Sequence, residues 1–126
     1  MNKEIINSPN APKAIGTYSQ AVAVGNLIFL SGQIGLNPDT MELEEGFSAQ
    51  ANRVFSNLKA VCAAGGSGLE HAVKLNIYLA DLANFAELNQ IMEQWFSAPY
   101  PARAALQVAA LPKGALVEVE AVVLRP

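Results

Sequence analysis

Three residues in the last quarter of the chain have the types and spacing to do chemistry: Arg103 in "PYPARAAL" (99–106), and Glu118 and Glu120 in "LVEVEAV" (116–122). An arginine fork matches a carboxylate with two parallel hydrogen bonds, and a partly buried glutamate can exchange protons near neutral pH. Arg103 stands among small apolar residues, where the chain looks ready to enter a buried strand. A cation is costly there unless something anionic meets it. Alternation puts Arg103, Ala105 and Gln107 on one face of the penultimate strand, and Glu118 and Glu120 on one face of the last. With those strands as neighbours, two polar rows lie side by side. The plainer reading is an Arg–Glu pair that satisfies itself at a subunit contact.

The other reactive side chains carry less. Ser31 in "LSGQ" lacks the Gly-x-Ser-x-Gly elbow of a hydrolase nucleophile, and the only histidine, His71, follows a distant loop. Ser31 suits the satisfaction of backbone groups at a strand end, and Tyr18 could cap a loop with its hydroxyl. Cys62 lies on the apolar stripe of a helix and reads as core filling. Lys113, in a "PKG" turn, lacks the desolvated setting of a Schiff-base lysine. One cysteine and one histidine leave too few ligands for a thiolate zinc site and argue against metal catalysis. "GGSG" (65–68) closes a helix rather than opening one, so it is no phosphate cradle.

The elements that must position these residues follow from periodicity and punctuation. "SPNAPKAIG" (8–16) is a Pro- and Gly-rich loop. "QAVAVGNLIFLSGQ" (20–33) predicts two short strands joined at Gly25-Asn26, a pair that tolerates positive φ. A turn at "LNPDT" (36–40) leads to a short, more polar run. Phe47, Ala51, Val54, Phe55, Leu58, Val61 and Cys62 predict an amphipathic helix over about 46–64. "AVKLNIYLA" (72–80) predicts a strand. A second helix follows over about 82–97, with Asp81 as N-cap and Pro99 and Pro101 beyond its end. Strands over about 102–109 and 115–124 complete an α+β domain spanning 1–126. Two right-handed crossovers then place both helices on one face of the sheet, and a matching subunit could cover the other.

Bulk composition narrows the function classes. Hydrophobic residues make up 52% of the chain and charged ones 15%, a sparingly charged surface that favours self-association. Eight Lys and Arg against eleven Asp and Glu give a net charge of -3, which argues against nucleic acid and anionic membranes as partners. The start, "MNKEIINSPNAP", has no apolar signal core, and no apolar run approaches the ~20 residues of a membrane span. A soluble, cytoplasmic protein is expected.

Four segments, "IGTYSQAV" (15–22), "LSGQIG" (30–35), "YPARAAL" (100–106) and "LPKGALVEVEAV" (111–122), resemble in order and spacing the Rid family of reactive-intermediate deaminases, also called the YjgF family. The resemblance implies a chorismate-mutase-like α+β fold with a mixed sheet, a homotrimer and clefts between subunits. It also implies hydrolysis of 2-enamine and 2-imine acids, such as 2-aminoacrylate and 2-iminobutyrate, to 2-keto acids and ammonia, with no cofactor. By motif, Arg103 matches the carboxylate-binding arginine and Glu118 the glutamate that positions or activates water. Tyr18, Ser31 and Asn89 match residues that line the cleft. Where many deaminating members have cysteine two residues after the arginine, this chain has Ala105; Thr17 replaces a frequent proline. Two other functions follow from the same residues: a non-catalytic sensor of 2-keto acids, which Ala105 favours, and the RNA cleavage or translational inhibition also ascribed to the family. The acidic balance and the single histidine count against the last.

Overall fold

The computed structural model describes residues 2–126. A four-residue strand, β1 (Lys3–Ile6), runs antiparallel to β2 (Ala21–Val24), which turns at Gly25-Asn26 into β3 (Leu27–Ile34). Periodicity does not announce β1, because it is short and only Ile6 is buried. At the hairpin only Gly25 takes a positive φ, of 60°, which makes the two-residue loop a type II′ turn. The more polar run after Thr40 forms a single bridge, Leu36 to Leu43, rather than a strand.

Helix α1 (Phe47–Ala64) buries the expected stripe and ends at the glycine cluster, where Gly66 at φ 78° lets the Ser67 N–H return to the Cys62 carbonyl at 2.9 Å. After β4 (Ala72–Leu79), the Asp81 side chain accepts from the Ala83 N–H at 2.9 Å and starts a 3-10 turn that runs into α2 (Phe85–Trp95). Phe55 of α1 packs against Trp95 and Phe96 at the end of α2, with ring centroids 6.2 and 5.5 Å apart. Both helices thus share one face of the sheet, as the crossover rule requires. β5 (Ala102–Gln107) and β6 (Val117–Leu124) complete the set.

The six strands are ordered β1-β2-β3-β6-β4-β5, with β4 and β5 the parallel pair. This corrects the expectation that the last two strands are neighbours: β4 lies between them. Burial explains the choice. Val117, Val119, Ala121 and Val123 of β6 are buried and gain most at the sheet centre, between β3 and β4, whereas β5 offers alanines and polar residues and suits an edge. The face away from the helices is uncovered in the protomer and carries Ile5, Phe29, Leu106 and Leu124 at 41 to 55% exposure. No described helix is long and apolar enough to cross a membrane.

Candidate active site

The sheet divides the residues singled out above into two half-sites. Arg103 pairs in register with Leu75, whose side chain is fully buried under the helices, so the arginine projects to the helix side. There α2 receives it. Arg103 Nη1 donates to Asn89 Oδ1 at 2.6 Å and to Met92 Sδ at 3.5 Å, and the guanidinium carbon lies 5.2 Å from the centre of the Phe85 ring. These neutral contacts orient the fork without cancelling its charge. The arginine ion pairs among the described residues are Arg53–Glu44 and Arg125–Glu4, so Arg103 has no carboxylate partner within its own protomer. Beside it opens a cavity of about 450 Å³ lined by Asn89, Met92, Glu93, Tyr100, Pro101 and Arg103. Arg103 is exposed rather than buried, which corrects the sequence reading; the cause is the edge position of β5.

The second half-site lies on the open face. Glu118 pairs with Tyr78 and Glu120 with Asn76, alternating with the buried valines of β6. A cavity of about 520 Å³ there holds Tyr18, Ser31, Gly32, Glu118 and Glu120, with Lys13 and Lys113 also in its lining. Tyr18 Oη accepts from the Ile15 N–H at 3.4 Å, while Ser31 Oγ donates to the Ser19 carbonyl at 2.6 Å, the structural bond expected of it. Glu120 is clamped: its Oε1 accepts from Tyr78 Oη at 2.7 Å and from Asn76 Nδ2 at 3.1 Å. Glu118 faces the cavity instead. Burial, with the charge of Glu120 added, holds its carboxyl above the usual glutamate range. The hydrogen bond to Glu120 likewise pushes the Tyr78 phenol up.

Arg103 and Glu118 therefore do not meet within one chain. Two strand spacings, about 10 Å, and the thickness of the sheet separate them. The polar rows read from alternation are real, but they face opposite ways. Asn89 joins Arg103, Tyr18 and Ser31 join Glu118, and Ala105 joins neither: it pairs with Ile77, is half-buried and packs on the core.

The family model for endoribonuclease L-PSP matches residues 8–125, which spans both half-sites. The chain belongs to this family, the Rid family. It is 46% identical over 123 residues to a 2-iminobutanoate/2-iminopropanoate deaminase from Dermatophagoides farinae, covering 97% of this chain and 96% of that one. Among solved structures, RidA from an Antarctic Psychrobacter superposes with a TM-score of 0.94 at 55% identity, over 96% of this chain and 98% of that one. TdcF of E. coli, solved with bound serine, superposes with a TM-score of 0.92 at 36% identity, over 98% and 99%.

The "LSGQ" motif of this Rid-family chain has a steric reason. The ladder between β3 and β6 slips by one residue between Leu30 and Gln33, which bulges Ser31 and Gly32 toward the cavity. A Cβ at Gly32 would strike the Glu118 carboxyl group, the movable end of a flexible side chain. A Cβ at Gly35 would instead meet Gln50 Cα at 2.6 Å, in the backbone of α1. Two substitutions should therefore part company. Gly32→Ala swings Glu118 aside and lowers turnover roughly tenfold with little change in melting temperature, while Gly35→Ala costs roughly 1–3 kcal/mol of stability. Thermal melts and initial rates on the two variants check this; equal melting losses would show that Gly32 serves packing alone.

Sequence reasoning missed Phe85 and Met92 beneath the arginine, and Tyr78 and Asn76 around Glu120. For the second pair the signal was present: in "KLNIY" every other residue is polar, which places Lys74, Asn76 and Tyr78 on one face. Cys62 is fully buried as expected, and burial pushes its thiol up to about 12, so it is inert.

Proposed function

We propose that this protein is a deaminase that hydrolyses reactive 2-enamine and 2-imine acids to 2-keto acids and ammonia, acting as a homotrimer with clefts between subunits. The observation that carries the reading is an oriented guanidinium beside a cavity, with no carboxylate partner in its own protomer, in a chain whose relatives are named imine deaminases. Arg103, held in place by Asn89 and the Phe85 ring, donates two parallel hydrogen bonds to the carboxylate of a 2-imino acid. The half-sites on opposite sides of the sheet support a shared cleft: the edge of one subunit, with Arg103, would meet the open face of the next, with Tyr18, Ser31 and Glu118. The apolar residues exposed on that face give such a contact its driving force.

The reaction needs protons moved and little else, because the substrate is already activated. An enamine gains a proton at carbon and becomes the imine. Water, oriented by Glu118 and backbone carbonyl groups, attacks the imine carbon, and the carbinolamine collapses with loss of ammonia. The test generates an imine in situ with an amino-acid oxidase or a threonine dehydratase and follows keto-acid formation. Purified protein should accelerate it, whereas equal rates with and without protein, joined to calorimetric binding of 2-oxobutyrate, would leave the sensor reading in its place.

A further inference from the structure

Glu120 has no role in the scheme above, yet its carboxylate is held more firmly than that of Glu118. It sits two residues away on the same face of β6, lines the same cavity, and is fixed by one phenol and one amide from β4. Both of those bonds are donated to Glu120, so they fix where its carboxylate lies. Glu118 has Gly32 rather than a side chain beside it, and the charge of Glu120 on the same face of β6 reaches it. Glu118, the carboxyl group without donors, is held above the usual glutamate range by burial first and by the charge of Glu120 second.

We propose that Glu120 is a positioning residue for the deamination: its clamped carboxylate, on the same face of β6 and in the same cavity, sets Glu118 to open the reaction as an acid. This rests on the deaminase reading and assigns its proton path. The Glu118 O–H bond breaks as its proton bonds to the terminal carbon of the enamine. The C=C pair forms that C–H bond, the nitrogen lone pair forms C=N, and Glu118 is left as carboxylate. As water oxygen bonds to the imine carbon, the C=N pair returns to nitrogen and Glu118 takes the water's proton. Glu118 then gives that proton to nitrogen and recovers one from the carbinol oxygen as C=O forms and ammonia leaves. Enamine plus water becomes keto acid plus ammonia, and Glu118 ends as it began.

Within the protomer the other groups facing Glu118 are Tyr18, Lys13 and Lys113 across the cavity and Tyr78 on β4, and in the shared cleft proposed above Arg103 of the partner subunit faces it too. The two lysines oppose Glu120, which makes the charge of Glu120, rather than the cavity as a whole, the variable to test. Glu120→Gln is the decisive variant, since its carbonyl can still accept from Tyr78 and Asn76 while the charge is gone. The pH profile of kcat/KM on an enamine generated in situ should have its alkaline limb moved toward acid, with a roughly tenfold loss at neutral pH recovered as the pH falls. Glu120→Asp keeps the charge and should hold the limb near that of the unaltered protein. Carbon-13 NMR of the Glu118 carboxyl should move in the same sense, without depending on turnover. An unmoved Glu118 titration in a folded Glu120→Gln protein would overturn the proposal. A moved titration in a protein that never deaminates would instead overturn the function it rests on.

Discussion

Arg103→Ala abolishes deamination and leaves the fold standing. In the proposed reading the guanidinium holds the substrate's carboxylate, and losing that hold surrenders both the charge-assisted pair and the orientation of the reacting carbon. A loss on the order of 10²-fold or more in kcat/KM is expected. Stability should fall by about 1 kcal/mol or less, because the side chain is exposed on an edge strand and gives up the Asn89 bond, the weak Met92 contact and the contact with the Phe85 ring. Arg103→Lys should recover a part of the activity, since a point charge replaces a planar fork. Rates with the imine generated in situ, set beside thermal melts, make the measurement. A fully active Arg103→Ala protein would remove the carboxylate clamp.

Mixing two inactive variants should restore roughly a quarter of the activity. If each site takes Arg103 from one subunit and Glu118 from the next, an Arg103→Ala subunit still offers Glu118, and a Glu118→Gln subunit still offers Arg103. In a closed ring assembled at random from equal amounts, about one seam in four joins an intact arginine to an intact glutamate, whatever the number of subunits. The two proteins are unfolded and refolded together, and the rate is compared with each refolded alone. A site built within one chain predicts no recovery at all. The opposite facing of the two side chains on the sheet is the physical ground for expecting it.

Most elements were legible because each depends on local pattern. The 3.6-residue stripe of α1, the glycines that stop it, the Asp81 cap and the alternation of β6 all lie within a few turns or residues of one another. β1 was not legible: four residues with one buried side chain carry too little contrast, and only pairing with β2 makes them a strand. Arg103, Glu118, Tyr18, Ser31 and Asn89 were named by motif and line two cavities in the structure, and alternation correctly gave which residues of a strand share a face.

What alternation could not give was which face. Period-two patterning sorts side chains within one strand, but the order of strands and the side each turns to the helices are settled by long-range packing. The valines of β6 claim the centre of the sheet, β4 fills the gap beside it, and the small residues of β5 accept the edge. So the chain's own residues specify an arginine suited to a carboxylate and a glutamate suited to protons. Only the tertiary arrangement puts them on opposite sides of one sheet, because burial of apolar surface, not the chemistry of the site, decides where each strand lies.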